Sequence, residues 1–139
     1  MRIDTVEGIS QWLGQSGNLF EALMDEVSLV HFGYSARVVF SIVVDLDGIP
    51  LKEYRSVVFD LEGVQHLMVN GALNPPMLEH PEMINWGLSE VARVRVTPSE
   101  TGVKFEAIWE DERRVEVDCH RAALTVPEEL SRGLSLGLA

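Results

Sequence analysis

Cysteine, basic residues and long apolar runs are scarce in this sequence, and each scarcity narrows the class of protein. The one cysteine, Cys119, has no partner for an internal disulfide, so a reducing cytoplasm is the expected compartment. The longest strongly apolar run, residues 38–44, is far too short to cross a bilayer, and the first residues lack the apolar segment of a signal peptide. We therefore expect a soluble cytoplasmic protein with no membrane partner.

The short motifs of enzymes and cofactor sites are absent as well. No glycine-rich loop joins a strand to a helix, and there is no Gly-x-Ser-x-Gly turn. Cys119 and His120 are neighbours whose side chains would point to opposite faces of a strand. The histidines are scattered, without metal-ligand spacing: His31, His66, His80 and His120. The sequence predicts no enzyme activity, no cofactor and no metal, with Cys119 as a small core residue.

Negative charge is what the sequence has in excess. It contains 22 Asp and Glu against 11 Lys and Arg, a formal net charge of −11 at pH 7. A field of this sign repels nucleic acid and anionic lipid and attracts basic proteins. We expect a basic protein as partner and no nucleic acid, although acidity that serves only solubility would give the same composition.

Length and hydrophobic content predict one domain. A chain of 139 residues, 46% of them hydrophobic, is long enough to bury a core without a metal or a disulfide. No repeat, low-complexity tract or linker divides it. Within a single domain of residues 1–139, the sequence assigns residues 1–24 to a helical segment, 25–122 to a sheet and 123–139 to a tail.

The apolar spacing changes from a helical to a strand period near Asp25. Before this point one helical face is predicted, followed by a further helical turn over residues 19–24. After it, alternating runs predict strands at 27–34, 36–46, 54–61, 64–70, 91–97, 103–109 and 113–120. Together they predict an α+β fold with an antiparallel, meander-like sheet of six to seven strands. Short helices are also expected near 81–86 and at the C-terminus.

The last two predicted strands carry the first candidate surface. Their expected register places Glu110 opposite Arg114 and Glu106 opposite Asp118. The second is a like-charge pair, and a register with Arg95 of the preceding strand beside Glu106 would relieve its repulsion. The outer face is then either mutually neutralised or an acidic ridge that binds a basic partner. Solvated carboxylates of this kind do not form a catalytic acid–base pair. The candidate ridge residues are Glu106, Glu110, Asp111, Glu112, Glu116 and Asp118.

Residues 71–90 are the second candidate surface, because three prolines interrupt the strand pattern there. Their apolar side chains form either a lid over the core or an exposed patch of the kind found at protein interfaces. In the second case Met77 and Trp86 are the candidate partner contacts.

The strand–turn–strand stretch over residues 55–71, together with the runs 91–96 and 115–120, resembles a group of small α+β immunity proteins of bacterial polymorphic toxin systems. The resemblance covers roughly residues 25–122 and consists of hydrophobic alternation and turn residues. It implies an acidic, non-enzymatic protein that binds and blocks a cognate toxin, often a basic nuclease.

Three functions remain open at this point. The first is a non-enzymatic, acidic protein-binding domain, with toxin neutralisation as its specific form. The second is a small-ligand-binding protein or an enzyme, with a pocket between sheet and helices where His31 or His66 lies beside a buried carboxylate. The third is a structural module of a homodimer.

Overall fold

A computed structural model describes residues 1–19, 21–44, 50–71, 73, 75–81 and 90–128. This part of the chain contains nine strands, two α-helices and two short 3-10 helices. Of residues 43, 44, 51 and 52 only the backbone is described. The helices are α1 (Val6–Gln15) and α2 (Pro75–Glu79). The strands are β1 (Arg2–Ile3), β2 (Leu23–Val30), β3 (Ser35–Val44), β4 (Pro50–Glu62), β5 (His66–Asn70), β6 (Arg93–Ser99), β7 (Gly102–Ile108), β8 (Arg114–Cys119) and β9 (Arg121–Thr125).

The strands form two antiparallel sheets. The order is β1-β9-β4-β3-β2 in a five-stranded sheet and β5-β8-β7-β6 in a four-stranded sheet. The coarse prediction, an antiparallel sheet protein with few short helices, is confirmed. The prediction of a single six- to seven-stranded meander is wrong, because the chain passes from one sheet to the other twice.

Both passages occur at one corner. β4 runs through Gly63 into β5, and β8 runs through His120 into β9, so the β4–β9 and β5–β8 pairs form one bent ladder. Residues 63–65, between β4 and β5, face residues 119–120, between β8 and β9. The one-residue excess on the first side is a bulge, which bends a strand. Gly63 has φ +71, and a Cβ there would lie 2.8 Å from the Cβ of His120. The close approach at this corner therefore requires glycine.

The core lies between the two sheets and beneath α1. Phe105 of β7 packs against Phe40 and Phe59 of the other sheet, with ring centroids 6.4 and 4.9 Å away. Thr5 caps α1 by accepting a hydrogen bond from the Gly8 amide. The buried face of α1, Ile9, Trp12 and Leu13, joins the same apolar cluster. The helical face predicted from apolar spacing is thus confirmed.

Several predicted elements require correction. The helical turn predicted over 19–24 is wrong, since Leu23 and Met24 begin β2. The strand predicted over 27–34 ends at Val30, because His31 and Phe32 adopt positive φ in a tight turn. β1, β9 and α2 were not predicted, and β9 occupies the start of the assigned tail.

Two predicted helices cannot be compared with the structure: residues 82–86 of the first and 129–139 of the C-terminal one lie outside the described residues. Neither α1 nor α2 has the length and apolar composition needed to span a bilayer.

Candidate functional site

The predicted acidic ridge lies on the outer face of the four-stranded sheet, with a different register. Glu106 stands opposite Glu116, not opposite Asp118 as predicted. The ladder closes at Trp109, whose amide donates to the Arg113 carbonyl, so the turn spans residues 110–112. The Asp111 carboxylate accepts hydrogen bonds from the amide and guanidinium of Arg113 and thereby fixes this turn. The register prediction missed this local side-chain contact.

Glu106 is buried, with only 6% of its surface exposed, although it was predicted to be a solvated ridge residue. It faces Arg95 across the β6–β7 pair, the register that would relieve a like-charge contact, with Arg95 Nη2 3.5 Å from Glu106 Oε1. The guanidinium of Arg114 hydrogen-bonds its other oxygen. Burying a charge is costly unless it is paired, and two arginines meet that condition here.

Glu116 is neutralised in the same way. Lys104 Nζ lies 2.7 Å from Glu116 Oε1, and Arg114 Nε lies 3.3 Å from Glu116 Oε2. The hydrogen bond from Lys104 is the main cause that lowers the pKa of Glu116 below its ordinary value. The outer-face charges of β6, β7 and β8 are Arg93, Arg95, Lys104 and Arg114 against Glu106, Glu116 and Asp118. With four cations against three carboxylates, this sheet face has no excess of negative charge. The predicted ridge continues only at the turn residues Glu110, Asp111 and Glu112, of which Asp111 is paired with Arg113.

A different set of carboxylates is left without cations. Glu21, Glu90 and Glu110 come from three distant parts of the chain, and no cation of the described residues pairs with them. Two backbone hydrogen bonds between residues 21–22 and Val91 hold the first two segments together, Glu21 N to Val91 O and Val91 N to Ala22 O. Partial burial, then the charges of Glu21 and Glu110, raise the pKa of Glu90. We call these three residues the acidic rim.

An apolar groove separates the free edge of β2 from the free edge of β5. It is formed by two adjoining depressions of about 500 Å³ and 280 Å³ that share Met24 and Val69. Three apolar side chains at the groove are more than half exposed: Leu29 (57%), Val69 (55%) and Leu73 (52%). We call it the edge groove. Its lining comprises residues 24–29, Leu67, Val69, Asn70, Gly71, Leu73, Trp109 and 113–115.

The acidic rim lies at one end of the edge groove. Glu90 is bridged to Leu23, which precedes Met24 of the groove lining, and Glu110 follows Trp109. Along the groove itself, β2 adds the exposed carboxylates of Asp25 and Glu26. Arg113 and Arg114 also line the groove, but Arg113 is paired with Asp111, and Arg114 is paired with Glu106 and Glu116. The site thus combines exposed apolar side chains with carboxylates that no cation neutralises, which suits a cationic and partly apolar surface.

A polar depression of about 280 Å³ lies on the outer face of the five-stranded sheet, next to His31. Its carboxylates are already paired, Asp60 with Arg37 at 3.1 Å and Glu62 with Arg121 at 2.6 Å. Such pairs leave little uncompensated charge for a ligand. Phe32, at the tip of the neighbouring β2–β3 turn, is fully exposed.

The thiol of Cys119 and the possible metal ligands can be located in the described part of the chain. Cys119 is buried, as predicted, and burial raises the pKa of its thiol to about 11, so the thiol stays protonated at neutral pH. Among the described residues, which include all four histidines, no three His, Cys, Asp or Glu side chains are grouped to hold a metal ion.

Of the two apolar contacts predicted in residues 71–90, Met77 lies among the described residues. Met77 of α2 is fully buried, which matches the lid alternative for that side chain and leaves it no surface for a partner. Trp86 lies outside the described residues. Leu73 is instead the exposed apolar residue of this segment that reaches the edge groove.

Comparison of the chain with models of protein families, with curated proteins and with solved structures finds no match. The candidate site therefore depends on its geometry alone.

Sequence reasoning missed Glu21, Glu90 and the edge groove. Their residues come from distant parts of the chain, between Glu21 and Val115, and only the strand order brings them together.

Proposed function

We propose that this chain is a non-enzymatic, acidic protein-binding domain that holds a basic protein at the edge groove. One observation carries the proposal: unpaired carboxylates and exposed apolar side chains coincide at the same place. The apolar walls supply contact area, and Leu29 and Val69 project from opposite sides of the groove. The acidic rim supplies the charge that steers a cationic partner and disfavours an anionic one.

The overall charge supports the same partner chemistry. The net charge is −11, and the outer face of β6, β7 and β8 carries four cations against three carboxylates, so it holds none of the negative excess. The unbalanced carboxylates therefore lie elsewhere, and the acidic rim is one such group. A field of this kind accelerates the encounter with a basic protein, and added salt screens it.

Toxin neutralisation is the specific form of the proposal. An immunity protein must bind a cognate toxin tightly without performing chemistry, and many toxins of this kind are basic nucleases, as the sequence resemblance implies. A chain with one buried thiol and a strongly acidic charge fits this role in the cytoplasm. A homodimer joined through the edge groove is disfavoured, because each copy would bring the same carboxylates to the interface.

The experiment is a binding titration between this chain and the product of the gene adjacent to its own, which the proposal expects to be a basic protein. We expect a one-to-one complex whose association rate falls by about tenfold or more between roughly 0.05 M and 0.5 M salt. If that protein is a toxin, co-expression with the chain restores growth. An association rate that ignores salt, or no complex at all, contradicts the proposal.

A further inference from the structure

The edge groove exposes strand edges as well as side chains. Its lining includes six consecutive residues of β2, positions 24–29. Successive side chains of a strand point to opposite faces, so a depression on one face touches only alternate residues. A lining of six consecutive residues means that the groove runs along the edge of β2, where the backbone itself is accessible.

Both strands that border the groove have one edge that, among the described residues, is not paired with another strand. β2 pairs only with β3, apart from the bridge between Leu23 and Glu90, and β5 pairs only with β8, within the part of the chain that the structure describes. Every second residue of an edge strand directs its amide and carbonyl groups away from the sheet. The side chains of Leu67 and Val69 line the opposite wall.

The charges on this edge select the occupant. Asp25 and Glu26 lie at one end of the exposed backbone of β2, and an added strand with Lys or Arg at that end would pair with them, whereas a second copy of this chain would place like charges opposite each other. The bulge between Met24 and Glu26 ends the regular part of β2, so the usable edge spans residues 26–30. That length accommodates about five residues, or about 17 Å of extended chain.

We propose that an extended segment of the basic partner, with alternating apolar and cationic residues, adds to the edge of β2 as a further strand and directs its apolar side chains toward Leu67 and Val69. This inference rests on the proposed function and specifies how the edge groove binds. Main-chain hydrogen bonds give the affinity, and the alternating side chains give the selectivity.

The probe for this binding mode is a synthetic eight-residue peptide of alternating Val and Lys with blocked ends, labelled for fluorescence anisotropy. A second peptide has the same side chains but carries N-methyl groups on alternate backbone nitrogens, which removes donors from one edge. The methylated edge of this second peptide cannot donate hydrogen bonds to β2. We therefore expect the second peptide to bind at least about tenfold more weakly than the plain peptide. Hydrogen exchange should show that the plain peptide protects amides of β2.

Two matched variants locate the peptide. Leu29→Lys places a cation in the edge groove, and Tyr34→Lys makes the same change at a side chain of equal exposure, 56% against 57%, outside the groove. We expect about a tenfold loss for Leu29→Lys and less than about twofold for Tyr34→Lys. If Leu29→Lys does not fold, Val69→Lys on the other wall of the groove replaces it, and we expect the same loss of peptide affinity.

The outcomes separate the two proposals. Strand addition is overturned if the plain and N-methylated peptides bind equally or if the plain peptide does not bind. It is also overturned if the two lysine variants lose the same affinity. The salt-dependent complex with the genomic neighbour would survive each of these results, because a folded basic surface can bind the same groove without adding a strand. Loss of that complex would instead overturn the proposed function.

Discussion

Glu106 and Glu116 lie directly opposite each other on neighbouring strands, an arrangement of like charges that sheets normally avoid. Arg114 contacts both carboxylates, and Arg95 and Lys104 complete one ion-pair network with them. Because this network consumes the charge of the two glutamates, they hold the sheet together and are not available to a partner.

Glu106→Gln should lower the free energy of unfolding by about 1–3 kcal/mol, since Arg95 and Arg114 then lose the counter-charge between them. Urea unfolding at neutral pH measures the change. Glu100→Gln, in an exposed turn, is the control and should stay within about 0.5 kcal/mol of the parent. Partner affinity should be unchanged in both variants, and a specific loss of binding in Glu106→Gln would restore the ridge hypothesis.

Glu116→Gln should make stability less sensitive to acid. Lys104 lowers the pKa of Glu116 below the ordinary 4.5, so this carboxylate stabilises the fold above that value and the stabilisation is lost as the pH falls through the lowered pKa. The variant lacks this contribution at every pH. Between pH 7 and about pH 2 the free energy of unfolding should therefore fall less steeply with falling pH for the variant than for the parent. Parallel curves would show that the Lys104 contact contributes nothing.

Local patterns predicted the parts of the fold that depend on neighbours in sequence. The apolar face of α1 follows from helical spacing, and the alternation of Val94 and Val96 marks β6. The register with Arg95 beside Glu106, which the sequence suggested as relief for a like-charge pair, is present in the structure. The like-charge pair itself was assigned wrongly in the next hairpin, where a side-chain contact within the turn holds a different register.

The division into two sheets could not be read from the sequence. It depends on a bulge at Gly63 that faces His120 across the ladder, and a single Gly between two alternating runs is equally typical of an ordinary hairpin turn. The acidic rim was hidden for the same reason. Glu21 and Glu90 become neighbours only when residues 21–22 hydrogen-bond to Val91.

Gly102→Ala should be strongly destabilising. Gly102 has φ +131, and a Cβ there would lie 2.4 Å from the carbonyl oxygen of His120. Strain and overlap with backbone should together lower the free energy of unfolding by about 2–4 kcal/mol. Gly14→Ala is the matched control, since nothing lies within 4 Å of its Cβ and its place in α1 favours alanine by about 0.5–1 kcal/mol. In thermal unfolding, the Tm should fall for Gly102→Ala and rise for Gly14→Ala.

Glu90→Gln should stabilise the free chain and weaken the complex. Partial burial and the charges of Glu21 and Glu110 raise the pKa of Glu90, so its ionised form destabilises the fold above that pKa, and the penalty disappears as the pH falls toward 4.5. The variant should gain stability at pH 7 and lose the gain at acid pH, as urea unfolding would show. Binding of the basic partner should be weaker at pH 7, because the carboxylate that attracts it is gone. A gain in both stability and affinity would contradict the role of the acidic rim.

The role of the acidic rim in binding is tested most directly by the Kd of the basic partner for charge-matched variants. Glu21→Gln with Glu110→Gln removes two rim charges, and Glu7→Gln with Glu100→Gln removes two exposed charges elsewhere, so both double variants change the net charge equally. At low salt we predict a five- to tenfold rise in Kd for the rim variant, on the order of 1 kcal/mol, and less than about twofold for the control. Equal Kd values for the two variants would show that the partner responds to the total charge of the chain and not to this site.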